Sequence, residues 1–181
     1  MLCGIDEAGR GPLAGDLVMA GCVLHTKIEG LGDSKKLSAK KRETLYEIII
    51  QNADYHIVKF SASQIDEIGI SKCLALGLIE IMQNIKASRY LFDGNSSFGV
   101  TGLETLIKAD ATIPEVSAAS ILAKVAHDRD MLELDRLYPQ YQFAKHKGYG
   151  TALHVRMIKE HGYSQVHRKT YKIKSLEATL F

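Results

Sequence analysis

Tryptophan is missing from this 181-residue chain, aromatic residues make up only 7%, and cysteine occurs three times. The missing tryptophan excludes nothing. The cysteines say more: Cys3, Cys22 and Cys73 are an odd number with no metal-ligand spacing, so they read as reduced core thiols in a reducing cytosol. Long apolar runs are also lacking. The longest clean one, Leu17 to Leu24, is far too short to span a bilayer, and no signal-peptide pattern is visible. A cytoplasmic protein with no membrane partner is therefore expected. Internal repeats, low-complexity tracts and long linkers are absent as well. With 46% apolar and 24% charged residues, one domain with a sizeable core is expected over residues 1–181.

What the chain does have is an uneven charge distribution. The net charge is only +2, but residues 142–174 carry eight Lys/Arg against the single acid Glu160, or +7, leaving −5 for the remainder. His146, His154, His161 and His167 fall in the same stretch. Lys35, Lys36, Lys40, Lys41 and Arg42 form a second basic cluster. A charge run is most often a solvated face. A basic C-terminal third beside an acidic body is also the footprint of a protein that holds a polyanion against an acidic site.

The pattern of elements is mixed α/β. Leu2–Ile5 and Leu17–Leu24 read as strands joined by a glycine-rich turn. Ser38 to Gln51 reads as a helix capped by Ser38, with Leu45, Ile48 and Ile49 on one face. Tyr55 to Ser61 alternates like a strand. Leu74, Leu78, Ile81, Met82 and Ile85 make one stripe, which predicts a helix from Gln64 to Lys86 despite Gly77. Tyr90-Leu91-Phe92 reads as a short strand ending at Asp93-Gly94-Asn95, and Leu103 to Ala109 as another ending at Asp110. Val116 to Leu137 and Thr151 to His161 read as helices, the second closed by Gly162. Tyr163 to Phe181 reads as a loosely packed arm.

Carboxylates punctuate these strands. Asp6 and Glu7 end the first one, directly before Ala8-Gly9-Arg10-Gly11-Pro12. Adjacent acids at the end of a buried strand need a cation, because an unpaired desolvated carboxylate costs several kcal/mol. Side chains alternate along a regular strand, so both acids reach one ion only where the pleat breaks; Gly9 and Gly11 offer that break. An exposed pair of acids before a turn would have the same local sequence. Asp93 and Asp110 end two further strands, and four acids at strand ends can converge on one sheet edge. Oxygen ligands without clustered His or Cys suit Mg²⁺ or Mn²⁺, and pairs of such ions serve in-line displacement at phosphodiesters.

Three motifs, Gly4-Ile5-Asp6-Glu7-Ala8-Gly9-Arg10-Gly11-Pro12-Leu13-Ala14-Gly15, Asp33-Ser34-Lys35-Lys36-Leu37 and Asp93-Gly94-Asn95, resemble type 2 ribonuclease H (ribonuclease HII) in its bacterial form. So do Lys108-Ala109-Asp110, Ser117 through Val125, and His146-Lys147-Gly148-Tyr149-Gly150-Thr151. They occur in family order over nearly the whole chain, and no extra N-terminal domain of the sister type 3 enzyme is visible. The resemblance implies a ribonuclease H-like fold: a mixed five-stranded sheet flanked by helices, about 1–140, with a basic C-terminal helical piece, about 141–181, closing a substrate groove. It implies a metal-dependent endoribonuclease acting on RNA–DNA hybrids and ribonucleotide-containing duplex DNA, with Mg²⁺ or Mn²⁺ as cofactor.

Carried over by position, Asp6, Glu7, Asp93 and Asp110 become catalytic metal ligands. Gly9, Arg10 and Gly11 become the loop whose backbone reads a 2′-hydroxyl, the group that separates RNA from DNA. Tyr149 becomes the ring on the neighbouring sugar, and Ser34, Lys35 and Lys147 become nucleic-acid contacts. Glu115 is a rival fourth ligand, and His146 reads equally as a phosphate contact or a structural residue. His127, Asp128 and Asp130 read as a solvated helix face. Ala178-Thr179-Leu180-Phe181 faintly resembles a sliding-clamp-binding ending without its leading glutamine; Leu180 and Phe181 covering the core is the competing reading. A monomer is expected. The alternative from another class is a non-catalytic nucleotide-binding module using the Gly9–Gly15 loop. Such loops lead into a helix whose N-terminus holds phosphate, whereas a β-prone run follows here.

Overall fold

The computed structural model describes residues 1–32 and 34–177; Asp33 and the tail Ala178–Phe181 lie outside the described residues. Five strands form one mixed sheet. In chain order they are β1 (Leu2–Ala8), β2 (Leu17–Leu24), β3 (Ala53–Phe60), β4 (Arg89–Asp93) and β5 (Glu104–Leu106), arranged β3-β2-β1-β4-β5. β1 pairs antiparallel with β2 and parallel with β4, and β5 pairs parallel with β4. The sheet is flanked by α1 (Ala39–Asn52), α2 (Ala62–Ile68), α3 (Ile70–Asn84) and α4 (Pro114–Leu137), and followed by α5 (Phe143–His146), α6 (Ala152–His161) and α7 (Lys174–Glu177).

Alternation along β2 assigns the two faces. Leu17, Met19 and Val23 join Cys3, Ile5 and the α3 residues Leu74, Leu78 and Ile81 in one core. Val18, Ala20 and Cys22 face the other way, against Leu45 and Ile49 of α1 and Ala118, Ala119 and Leu122 of α4. All three cysteines are buried and free, and burial pushes the Cys3 thiol up to about 12.

The small residues of α4 matter for position. A Cβ on Gly4 would come 2.2 Å from the Val116 amide nitrogen, so the helix backbone lies directly on β1. Gly4→Ala should therefore force the two apart and destabilise the fold by about 1–3 kcal/mol, the usual range for overpacking, read as a lower denaturant midpoint. An unchanged midpoint would mean that the helix is not held at that distance.

Three sequence expectations need correction. The helix over 64–86 is two helices, because Gly69 at φ 83° ends α2 after Ser61 and Gln64 have closed its capping box. The strand over 103–109 stops at Leu106; Lys108 turns left-handed and Asp110 sits in a 3₁₀ turn, Ala109–Ala111. Within the described part of the segment after Tyr163, residues 167–170 are not loosely packed. His167 bridges to Ala14, Arg168 is buried, and the Lys169 and Thr170 amides donate to Asp66.

Candidate active site

The C-terminal ends of β1 and β4 deliver Asp6 and Asp93 to the same edge of the sheet, as parallel neighbours must. Asp93 then organises its surroundings. Its Oδ1 accepts from the Lys108 amide at 2.9 Å and its Oδ2 from the Asp110 amide at 3.3 Å, which folds the 3₁₀ turn back over the strand end. Carboxylate oxygens of Asp6, Asp93 and Asp110 consequently lie within 4.8 Å of one another, with Asp6 and Asp110 buried.

Glu7 behaves differently. β1 runs regularly through Ala8, so no break of the pleat turns both acids the same way. Glu7 lines the same cleft but stands outside the group of three. One of its oxygens is 3.7 Å from Arg10 Nη1, and its buried Oε2 has no hydrogen-bond partner. Glu115 is not in the group either; it lines a separate hollow with His25 and Pro114.

Burial, and next the Glu7 charge, hold the Asp6 carboxyl well above its ordinary range, against a lowering contact from Ser120. Burial likewise raises Glu7, although Arg10 works against it. A crowd of partly desolvated acids with an orphaned carboxylate oxygen is a site short of positive charge. Its donors are hard oxygens only, the set that suits a divalent Mg²⁺ or Mn²⁺ and not zinc.

The acids form the floor of a cleft of about 460 Å³. Gly9, Arg10 and Gly11 wall one side, with Tyr149 beside them; Ser34, Lys35 and Lys124 wall another. Gly9 is irreplaceable here: its φ is 81°, and a Cβ would strike the Asp16 carbonyl oxygen and His127 at 2.5 Å. Ser34 is buried and shares a 2.7 Å hydrogen bond with Ser120, while Arg42 gathers the Ser34 and Leu37 carbonyls. Lys147 is not part of the wall, since its ammonium donates to the Ala144 carbonyl at 2.5 Å. Lys124, Ile107 and Lys108 also line the cleft without a sequence signal; Ser120 lines it from the small-residue run Ser117–Ser120, whose size suits a helix packed beside the acids.

His127 corrects a further expectation. It is 1% exposed, lies under Gly9 and meets the Tyr149 ring edge-on, with its Nε2 unpartnered. Asp128 pairs with Lys124 at 2.8 Å, and Asp130 with Lys59.

His146 is structural: its Nε2 donates to the Tyr141 carbonyl, and its Nδ1 accepts from the Gly148 amide. His154 and His167 continue this pattern as an ordered chain. His154 Nδ1 donates to the Tyr149 carbonyl, His167 Nε2 donates to His154 Nε2 at 3.0 Å, and His167 Nδ1 accepts from Ser164. A further proton on either ring would set donor against donor. Burial pushes both down to about 4. Because these folded values lie below the ordinary 6.5, the stabilisation is complete above pH 6.5 and fades as pH falls through about 4. The melting-temperature gap between the native chain and a His154→Gln/His167→Gln variant should close over that window. A gap constant with pH would contradict the neutral chain.

A sequence model of the family described as Ribonuclease HII matches residues 3–174. The chain belongs to the ribonuclease HII family. It is 57% identical over 181 residues to the ribonuclease HII of Sulfurovum sp. (strain NBC37-1), covering 99% of this chain and 96% of that one. Among solved structures, ribonuclease HII of Archaeoglobus fulgidus, in a complex with PCNA, superposes with a TM-score of 0.82 at 28% identity, covering 96% of each chain. Bst-RNase HIII in complex with Mn²⁺ shares the fold, with a TM-score of 0.72 at 21% identity over 89% of this chain and 62% of that one. The sheet and its helices are thus the ribonuclease H-like fold of ribonuclease HII, and the chain is a ribonuclease H-type endonuclease of a metal-dependent family. No helix among the described residues is long and apolar enough to cross a membrane.

Proposed function

We propose that this ribonuclease HII hydrolyses the RNA strand of RNA–DNA hybrids and incises duplex DNA on the 5′ side of an embedded ribonucleotide, leaving 3′-hydroxyl and 5′-phosphate ends. The observation that carries the reading is the convergence of Asp6, Asp93 and Asp110 within 4.8 Å at the floor of a cleft walled by the Gly9–Gly11 backbone and Tyr149. Asp6, Asp93 and Asp110, with Glu7 beside them, would hold Mg²⁺ or Mn²⁺, which supplies charge stabilisation and an activated water for phosphodiester displacement. The Mn²⁺ of the type 3 relative supports that ion class.

The chain's own residues divide the remaining work. The glycines let the backbone approach a 2′-hydroxyl, which both donates and accepts hydrogen bonds. Tyr149, 42% exposed, offers its ring to the adjoining sugar. Lys35 and the cationic C-terminal piece, about 141–181, supply sequence-independent attraction to phosphates and close the groove over the core, about 1–140. The protein acts as a cytoplasmic monomer; for the ending Ala178–Phe181, which lies outside the described residues, covering the core is the main reading and a sliding clamp the minor one, supported by the PCNA complex of the Archaeoglobus fulgidus relative.

The nucleotide-module alternative has less support, because the Gly9–Gly15 segment leads into β2 and presents no helix N-terminus. A nick assay on ribonucleotide-containing duplex with Mg²⁺, run beside a nucleotide-binding titration, separates the two. Metal-dependent nicking supports the nuclease; tight mononucleotide binding without nicking overturns it.

A further inference from the structure

Arg168 counts as one more cation of the basic tail, yet it is 1% exposed and lies on no surface. Its guanidinium is spent on the loop that follows β1. Nη2 donates to the Gly9 carbonyl at 2.5 Å and to the Gly15 carbonyl at 2.9 Å, and Nε donates to Gly15 at 3.0 Å. Nη1 donates to the Arg10 carbonyl at 3.0 Å, and that carbonyl also accepts from the Tyr171 hydroxyl at 2.8 Å. The Arg168 amide donates to the Leu13 carbonyl as well. A planar fork of five donors fits such a ring of carbonyls; an ammonium does not.

The consequence follows from peptide geometry. In a planar trans peptide the carbonyl of one residue and the N–H of the next point in opposite directions. Holding the Gly9 and Arg10 carbonyls on Arg168 therefore turns the Arg10 and Gly11 N–H groups away from it, on the stretch of backbone that walls the cleft. Among the described residues, neither amide donates to another backbone group. We propose that Arg168 is the positioning residue that presents these two amides to the ribonucleotide, so that the far end of the chain sets the geometry of sugar recognition. This rests on the Gly9–Gly11 loop being the sugar-reading element.

The test compares Arg168→Gln, Arg168→Lys and Tyr171→Phe with Leu78→Ala, a cavity variant on the α3 face that touches no part of the cleft. Cleavage of duplex DNA holding one ribonucleotide is followed with Mg²⁺, well below every melting temperature. Amide resonances of Arg10 and Gly11 are followed by nuclear magnetic resonance without metal. Arg168→Gln should lower kcat about 10–100-fold, the scale of a misplaced reacting group, with KM within about threefold because phosphate contacts dominate affinity. Its two amide resonances should shift. Arg168→Lys should recover only part of the loss, and Leu78→Ala should keep kcat even where its melting temperature falls as far. Should Arg168→Gln fail to fold, Tyr171→Phe, which removes one donor to the Arg10 carbonyl, carries the same signature at smaller size. Resonances and kcat both unmoved would overturn the role of Arg168. Moved resonances with unmoved kcat would overturn the reading of the loop itself.

Discussion

Replacing Asp6 with asparagine is expected to slow hydrolysis at least about a hundredfold and, in the metal-free protein, to raise the melting temperature. The two effects share one cause. Asp6 is 9% exposed and its oxygens crowd those of Asp93 and Asp110. Its folded carboxyl titrates above the ordinary carboxylate range, so ionised Asp6 costs stability at neutral pH, and that cost disappears as pH falls below the folded value. Asparagine keeps the shape and removes the charge. Each kcal/mol relieved raises the melting temperature of a chain this size by about 2–4 °C. If the proposed site holds the ion, added Mg²⁺ should then stabilise the native chain and leave the variant nearly unmoved. Native-like turnover in Asp6→Asn, or a lower melting temperature without metal, would sink the assignment.

Tyr149→Ala should lose about tenfold to a hundredfold in kcat/KM on a single ribonucleotide in DNA, and much less on a long hybrid. An aromatic contact of this kind contributes about 1–3 kcal/mol, by analogy with base stacking. Tyr149 stands beside Gly11, 3.9 Å from where a Cβ would be, and its ring edge rests on buried His127. That places a half-exposed, supported ring next to the loop. The deoxyribose that follows a lone ribonucleotide is absent from a long RNA stretch, so a ring in the proposed role would discriminate only at a junction. Changing Lys169 and Lys172 together to Ala should instead weaken both substrates alike, since phosphate contacts carry no sugar information. Equal losses on both substrates for the tyrosine variant would leave discrimination to the Gly9–Gly11 loop alone.

Alternation and helical stripes made most of the sheet and its covering helices legible in the sequence, because each strand and helix buries one defined face. Asp6, Asp93 and Asp110 stood out as acids closing apolar runs, and the structure brings their oxygens together. Less was visible where conformation depends on distant partners. The 3₁₀ turn that carries Asp110 is held by Asp93, which accepts from the Lys108 amide just before it and the Asp110 amide within it, contacts across 15 and 17 residues. His127 looked solvated because its neighbours Asp128 and Asp130 are charged; Gly9 lies over it and the Tyr149 ring packs against it, contacts with residues distant in sequence. Arg168 carried no local sign of burial at all, since its acceptors lie more than 150 residues earlier in the chain.

The most direct measurement is the position and chemistry of the cut in a duplex holding one ribonucleotide, incubated with Mg²⁺ and with a chelator. A single nick 5′ of the ribonucleotide, with 3′-hydroxyl and 5′-phosphate ends and no cleavage under the chelator, is the expected result. Cleavage that survives the chelator, or a cyclic phosphate end formed by the 2′-hydroxyl as nucleophile, would contradict a carboxylate-held metal as the centre of the reaction.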